Sequence, residues 1–139
     1  MLRVYIAAPK AEQKRAQLFA SWVRRLATVD VVSSWHDTMP EGAADPVDRT
    51  EAGRILAQNL LDLADATLVV ALPCVGHGVE TYVEIGRALA RGVPVVMSSV
   101  HGGLPLSWAD DGVDVVEDDD AALRVVARTL ASRMRGGSA

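Results

Sequence analysis

Short, strongly apolar segments alternate along this chain with longer segments that are apolar on one face only. This alternation restricts the fold most, because a strand that is apolar on both faces must be covered on both sides. Helices that follow such strands supply the cover and produce a parallel sheet. The apolar segments, predicted to be strands, are residues 2–7, 29–32, 67–72, 93–97 and 113–116.

The segments between these strands are predicted to be helices. Helical spacing of apolar residues or capping residues predict helices at residues 11–27, 48–64, 79–91 and 118–134. The polar segment 33–46 contains Pro and Gly and is predicted to be a loop. The chain therefore predicts an α/β fold. We expect a single flavodoxin-like or Rossmann-like three-layer domain with five parallel strands in the order 2-1-3-4-5.

Length and charge limit the domain count and the class of partner. The 139 residues predict one domain over residues 1–135, with residues 136–139 as a flexible tail. A net charge of −4 argues against a partner that is polymeric nucleic acid, because proteins that coat nucleic acid carry clustered positive charge. A small anionic substrate remains compatible with this charge, since a pocket can be locally positive.

Cysteine and histidine usage predicts no disulfide framework and no metal site, and no cofactor is expected. Cys74 is the single cysteine, and the three histidines lack partners at the spacing of metal ligands. A reduced, cytoplasmic location is the simplest interpretation. No apolar run approaches the ~20 residues of a membrane span, so no membrane partner is expected. The first residues do not resemble a signal peptide.

The predicted topology indicates where a ligand would bind. In open α/β sheets, ligands bind beyond the carboxyl ends of the strands, near the point where the strand order reverses. That rule selects the loops at residues 7–15, 33–48 and 72–84. In the helix that follows the last of these loops, Glu80 and Glu84 lie four residues apart on one face. A carboxylate near a helix start is expected to stay ionised and to serve as a nucleophile, although acids also favour first turns for stability alone.

Three segments in this order resemble the nucleoside 2-deoxyribosyltransferase superfamily, including its nucleotide N-glycosidase relatives. They are Tyr5-Ile6-Ala7-Ala8-Pro9, Ser33-Ser34-Trp35-His36-Asp37 and Val83-Glu84-Ile85-Gly86-Arg87-Ala88-Leu89-Ala90 before Gly92-Val93-Pro94-Val95-Val96. The resemblance extends to about residue 97. It implies a small-molecule nucleoside or nucleotide substrate and a homodimer or higher homo-oligomer with sites near subunit interfaces.

The resemblance also implies roles for individual residues. The family glutamate attacks the anomeric carbon of the sugar and displaces the base, and Glu84 occupies that position. Another base, or water, then accepts the sugar from the glycosyl-enzyme. The family tyrosine at the first strand orients the glutamate, and Tyr5 matches it. Strand propensity alone also favours a tyrosine at this position.

The group that protonates the departing base is left open by the sequence. The family often supplies an acid from the helix before the third strand, but Asn59 stands there, and an amide is a poor general acid. Asp62 is an alternative, although its flanking position also suits a solvent-exposed residue. Asp37 and Glu80 are further candidates. Asp37 ranks first of these two because its loop is expected to overhang the pocket.

The remaining candidates are substrate-binding residues. Trp35 is expected either to stack on a nucleobase or to cap the core. His36 is expected to be an acid/base group or a hydrogen-bond donor or, as is commoner, a surface histidine. The other predicted binding residues are Ala7, Ala8, Asp62, Gly78, Glu80 and Ser98. Ser98 and the basic residues after the first strand, Lys10, Lys14 and Arg15, are candidates for binding a 5′-phosphate.

Two alternatives to an enzyme follow from the same sequence. A non-catalytic nucleotide-binding module is favoured by the amide at Asn59 in place of an acid. A flavin-binding or phosphate-binding domain of the same fold is more distant, because an aromatic content of 4% offers few rings for flavin stacking.

Overall fold

The chain folds around a five-stranded parallel sheet. The computed structural model describes residues 1–40, 48–74, 78–100 and 109–136. The strands are β1 (Leu2–Ala7), β2 (Val29–Val31), β3 (Leu68–Ala71), β4 (Val95–Ser98) and β5 (Val113–Val116). Their order is β2-β1-β3-β4-β5, and each pair is parallel. The predicted flavodoxin-like fold is therefore confirmed.

Helices cover both faces of the sheet. They are α1 (Gln13–Arg24), which follows a 3-10 turn at Lys10–Glu12, α2 (Trp35–Thr38), α3 (Arg49–Ala64), α4 (Val79–Ala90) and α5 (Asp119–Arg135). The helices α1 and α5 contact each other on one face, and α4 packs against β1, β3 and β4. Right-handed crossovers place α3 on the same face as α4. The prediction that residues 33–46 form only a loop is wrong, because α2 lies within them.

The central strands form the core because helices cover both of their faces. All four residues of β3 and all four of β4 are buried. In contrast, the edge strands β2 and β5 contain only half-buried and exposed residues. This pattern matches the sequence: continuous apolar runs occupy the middle of the sheet, and aspartates interrupt the edges.

Helix ends follow the predicted capping residues. Asp48 accepts a hydrogen bond from the Thr50 N–H at 2.7 Å, and Asp118 accepts one from the Ala121 N–H at 2.8 Å. After α4, Gly92 has a φ of +73°, a left-handed conformation that glycine adopts at low cost. These local signals set the helix boundaries without help from the tertiary structure.

Helix α3 stands apart from the other helices in its burial. Its predicted apolar stripe is Ala52, Ile55, Leu56, Leu60 and Leu63. Only Leu63 is buried, and Leu56 is 47% exposed. The helix therefore leaves most of its stripe uncovered by the described residues. Among those residues, no helix is both long enough and apolar enough to cross a bilayer.

Where β2 ends, side chains take over as hydrogen-bond partners of the β1 backbone. The backbone of Val4 still bonds to the chain after β2, because the Val32 N–H donates to the Val4 carbonyl at 2.8 Å. Two residues later, the Ile6 N–H donates to Ser33 Oγ at 3.0 Å. The Ile6 carbonyl accepts the indole N–H of Trp35 at 2.8 Å. Buried backbone groups need such partners, so Ser33 and Trp35 continue the hydrogen bonding of the sheet past the end of β2.

This arrangement predicts a specific cost for losing the indole N–H. Trp35→Phe leaves the Ile6 carbonyl buried without a partner, and we expect the free energy of unfolding to fall by about 1–3 kcal/mol. Urea unfolding followed by circular dichroism measures the change. Trp22→Phe is the matched control, because Trp22 is half-buried and its indole makes no hydrogen bond to a described residue. Equal losses in the two variants would contradict the role assigned to Trp35.

Candidate active site at the carboxyl edge of the sheet

A tyrosine and a glutamate from distant parts of the chain meet on the face covered by α4. The hydroxyl of Tyr5, on β1, donates a hydrogen bond to Oε2 of Glu84, on α4. Tyr5 is fully buried, whereas Glu84 is half-buried. The tyrosine is therefore a fixed donor, and the carboxylate lies between the core and solvent.

The start of α4 packs closely against the turn after β1. Gly78 precedes the helix with a φ of +87°, and a Cβ built on it would lie 2.8 Å from Pro9 Cβ. Only glycine therefore fits between these segments without a shift. Thr81, in the first turn, is buried, and its Oγ1 has no hydrogen-bond partner among the described residues. Thr81, Ile85 and Ala88 form the buried face of α4, and Glu84 lies at the edge of that face.

Burial controls the protonation of this pair. Burial raises the pKa of Glu84 to about 7; the hydrogen bond from Tyr5 lowers it, and the charge of Glu80 raises it. Burial also raises the pKa of Tyr5, and the charges of Glu84 and Asp62 raise it further. The expectation that the helix start keeps Glu84 fully ionised is therefore wrong. Glu84 lies in the second turn of α4, where burial outweighs the helix dipole.

The pair has the properties of a reactive carboxylate and its orienting donor. Tyr5 keeps its proton throughout the neutral range, and Glu84 changes its charge within that range. A perturbed carboxylate on a covered sheet edge is a candidate functional group, because a charge that is costly to bury is more often kept for chemistry than for stability.

Asp62 is half-buried and its charge acts on Tyr5 of this pair. The sequence left open whether Asp62 would instead be exposed to solvent. Its Oδ2 accepts hydrogen bonds from the backbone N–H and the hydroxyl of Ser34, at 3.1 and 2.6 Å. Its Oδ1 accepts one from Gln58 at 2.8 Å. Glu80 is exposed in the first turn of α4. The charges of these two carboxylates therefore act on the pair from different helices.

Asp37 and His36 are committed to other partners. Asp37 binds Arg24 at 2.8 Å. Burial raises the pKa of Asp37, but Arg24 and His36 together outweigh this effect and lower the pKa. Asp37 is therefore a poor acid. His36 is fully buried, so the expectation of a surface histidine is wrong; burial lowers its pKa. Its Nε2 lies 2.9 Å from Ser33 Oγ, and its Nδ1 lies 3.3 Å from Asp37. This order resembles a hydrolase triad, but Ser33 is 2% exposed and already bonds Ile6.

Other predicted residues are buried or have no described partner. Trp35 is 6% exposed, which favours its interpretation as a core residue. Ala7 is fully buried, with its carbonyl bonded to the Leu72 N–H, and Ala8 is 9% exposed. Asn59 is half-buried on α3, and its side-chain amide makes no hydrogen bond to the described residues. Asn59 is thus the one predicted residue on α3 with an amide left to bind a ligand.

A second polar cluster contains Ser98, Arg15 and Asp119. The sequence did not indicate Asp119 as a partner of the other two residues. Arg15 makes two hydrogen bonds of 2.6 Å to Asp119, and Ser98 donates to Asp119 at 2.8 Å. Arg15 also lies 3.5 and 3.4 Å from the carbonyls of Leu72 and Pro73. The cluster therefore joins α1, the end of β3, β4 and α5, and it engages Arg15, one of the three basic residues that the sequence suggested for binding a 5′-phosphate. Asp119 lies in the first turn of α5, where acidic residues are common for stability alone, and this concealed the contact in the sequence.

Other ligand sites have less support in the described part of the chain. An open depression of about 290 Å³ lies between β5 and α5, lined by Val116, Glu117, Ala121, Arg124, Val125 and Arg128. It contains none of the predicted site residues, and a half-buried carboxylate with a raised pKa and an orienting donor is the stronger indication of chemistry. The described residues contain no group of three side chains that could hold a metal ion. Residues 75–77 of the predicted loop 72–84 and residues 41–47 of the loop 33–48 lie outside the described residues.

A scan of the chain against protein-family models finds no match. A search of curated proteins also finds no similar protein. Functional assignment therefore depends on the site itself.

Burial of Glu84 predicts a pH-dependent gain of stability in Glu84→Gln. The ordinary pKa of 4.5 rises to about 7 in the folded protein, so the native state binds the proton more tightly. The contribution of Glu84 to the free energy of unfolding is therefore fully present below about pH 4.5, and it is lost as the pH rises to about 7. The neutral amide avoids this loss. We expect Glu84→Gln to exceed the wild type by about 2–3 kcal/mol at pH 8, with no such gain at pH 4.5.

Urea unfolding at the two pH values measures this difference. Glu117→Gln is the matched control, because it removes a carboxylate that is exposed after β5. We expect the control to change by less than about 0.5 kcal/mol at both pH values. A Glu84→Gln variant that is no more stable than the wild type at pH 8 would contradict the costly burial of this carboxylate.

Proposed function

We propose that this protein cleaves or exchanges the N-glycosidic bond of a nucleoside, deoxynucleoside or nucleoside monophosphate, with Glu84 as the nucleophile. The observation that carries the proposal is the hydrogen bond from buried Tyr5 to Glu84, whose pKa burial raises to about 7. The pair joins β1 to the helix after β3, beside the point where the strand order reverses, which is where ligands bind in this fold. The ordered motifs that resemble the nucleoside 2-deoxyribosyltransferases supply the reaction type.

The reaction proceeds in two displacements. The ionised Glu84 carboxylate forms a bond to the anomeric carbon as the bond to the base nitrogen breaks, and the base leaves with the electron pair and takes up a proton from solvent. Water or a second base then attacks the same carbon, gives up a proton to solvent, and releases Glu84 as the carboxylate. Retaining glycosidases use a carboxylate in the same way. Tyr5 holds the carboxylate in place and stabilises it after release.

Binding of the base is assigned to α3. Asn59 is half-buried and its amide has no described partner, so it can both donate to and accept from a base edge. Asp37 is paired with Arg24 and is therefore not assigned the proton transfer.

The proposal also includes assembly into a homo-oligomer and a cytoplasmic location. The face formed by α3 and α4 carries exposed apolar side chains, with Leu56 at 47%, Val83 at 42% and Val79 at 77% exposure. Grouped exposed apolar residues mark interaction sites, and a homodimer or larger homo-oligomer would cover them. A single cysteine without a disulfide partner fits a reduced, cytoplasmic setting.

A non-catalytic nucleotide-binding module is the second candidate, and the amide at Asn59 favours it. Such a module would bind nucleotides, raise its melting temperature on binding and release no product. A turnover assay therefore separates the two candidates.

Turnover tests the proposed activity directly. The protein is incubated with a panel of nucleosides, deoxynucleosides and their 5′-monophosphates, with and without a second free base. Liquid chromatography then detects a released base or an exchanged nucleoside. We expect Glu84→Ala to lower kcat/KM at least about a thousandfold, because the nucleophile is lost. Absence of product across the panel, or full activity in Glu84→Ala, would reject the proposal.

The pH profile of the same reaction tests the role of Tyr5. Because only ionised Glu84 attacks, kcat/KM of the wild type is expected to rise with pH through about 7. The hydrogen bond from Tyr5 lowers the pKa of Glu84, so Tyr5→Phe is expected to move this rise to higher pH. A profile unchanged in Tyr5→Phe would show that Tyr5 does not act on the nucleophile.

The oligomeric state is measured by light scattering coupled to size-exclusion chromatography. We expect the wild type to be a dimer or larger, and Leu56→Glu to shift it toward the monomer by burying a charge at the interface. Leu18→Glu is the control, because Leu18 is 52% exposed on α1, which lies on the opposite face. A monomeric wild type would contradict this part of the proposal.

A further inference from the structure

We propose that His36 is a pH-sensitive contact: its neutral ring holds the segment 33–38 against β1, and uptake of a proton by the ring releases that segment. The inference goes beyond the proposed function and does not depend on it, because it concerns the hydrogen bonding that continues the sheet past the end of β2.

The hydrogen bonds around Ser33 determine which nitrogen of the His36 ring carries the proton. Ser33 Oγ accepts the Ile6 N–H at 3.0 Å and lies 2.9 Å from Nε2 of His36. A hydroxyl has one proton to donate, and an unprotonated Nε2 accepts it. With the proton on Nε2 instead, the Ser33 hydroxyl would have no described acceptor, and the lone pair of Nδ1 would lie 3.3 Å from the Asp37 carboxylate. The neutral ring is therefore protonated on Nδ1.

A charged ring does not fit these surroundings. The second proton would lie on Nε2 and face the Ser33 oxygen, which already accepts the Ile6 N–H. The proton of the Ser33 hydroxyl would then lose its acceptor. His36 is fully buried, and its Nδ1 makes no hydrogen bond to a described residue, so the charge would be poorly solvated. The contact with Ser33 is therefore favourable only for the neutral ring.

Charged groups on α1 and α2 do not offset the cost of burial. Burial is the largest influence and lowers the pKa of His36. Asp37 on α2 and the backbone of Ser33 raise this pKa, whereas Arg24 on α1 lowers it. Arg24 also binds Asp37 at 2.8 Å, so the negative charge nearest the ring already has a cation. The folded protein therefore favours the neutral ring.

Helix α1 fixes the backbone of His36. The side-chain amide of Gln13 donates to the carbonyls of His36 and Met39 at 3.1 and 2.6 Å, and that of Gln17 donates to the His36 carbonyl at 2.6 Å. Because the backbone is held and the ring is buried, hydration of a charged ring requires the segment 33–38 to move. That movement breaks the hydrogen bond from Ile6 to Ser33, so the Ile6 amide reports the release.

Hydrogen exchange measured by NMR at pH 7.5 and 5.5 tests the proposal. Protection of the Ile6 amide, corrected for the intrinsic exchange rate, is divided by that of the Leu72 amide. Leu72 bonds to the Ala7 carbonyl on the β3 side and reports opening of the core. The ordinary histidine pKa of 6.5 is lowered in the fold, so the contact is fully stable above about pH 6.5 and weakens as the pH falls. We expect the ratio to fall about three- to tenfold at pH 5.5.

Two variants assign the effect to one histidine. His36→Gln offers an oxygen to Ser33 and does not titrate, so its ratio is expected to stay within about twofold between the two pH values. Replacing the other two histidines together, by His77→Gln and His101→Gln, is the matched control and should keep the fall of the wild type. Glu84 titrates in the same range in every variant, so the comparison removes its contribution. If His36→Gln does not fold, His36→Asn takes its place.

The ¹⁵N shifts of the imidazole in the wild type at pH 7.5 need no variant and are expected to show the proton on Nδ1. A ring protonated on Nε2, an unchanged ratio in the wild type, or the same fall in His36→Gln would overturn the proposal. An equal loss of protection at Ile6 and Leu72 would also overturn it, because the whole domain would then open instead of the segment.

Discussion

The fold depends on satisfying every polar backbone group of β1, the strand buried near the middle of the sheet. On one side, pairing with β3 covers Val4 to Ala7, and Thr67 bonds to the backbone of Arg3 before them. On the other side, β2 ends at Val31, before β1 does. An unpaired buried amide or carbonyl would cost about 1–3 kcal/mol. The segment after β2 is therefore held against Ile6 by a hydroxyl and an indole, and α2 begins there.

This requirement connects the core to the candidate site. The segment that completes β1 bonds to Ile6 and, through Ser34, to Asp62 of α3. Ile6 directly follows Tyr5, and Tyr5 holds Glu84, so the hydrogen bonding that completes the core lies beside the residue that orients this carboxylate. The opposite face is joined separately, by Arg15 and Asp119. The cluster of Arg15 and Asp119 thus serves stability across four elements. The pair of Tyr5 and Glu84, in contrast, contains the carboxylate whose pKa is raised.

Glu84 and Asp119 differ in whether a nearby cation compensates their charge. The carboxylate of Asp119 has a bidentate cation, and its charge is compensated. Glu84 has only a neutral donor and a like charge nearby at Glu80, so the cost of burying its charge is not offset. A protein selected for stability alone would have little reason to keep such a group, and this is the physical basis for assigning chemistry to it.

What the sequence by itself determined was the order of elements and most of their ends. Continuous apolar runs predicted the buried strands, Asp48 and Asp118 predicted helix starts, and Gly92 predicted a helix end, because these signals act through neighbouring residues. The approach of Tyr5 to Glu84 followed from the resemblance and from the strand order. Tertiary structure alone decided the burial of His36, the pairing of Arg15 with Asp119, and the partners of Asp62. Burial and long-range pairing depend on which surfaces meet in the fold, and a local pattern carries no record of the groups that desolvate it.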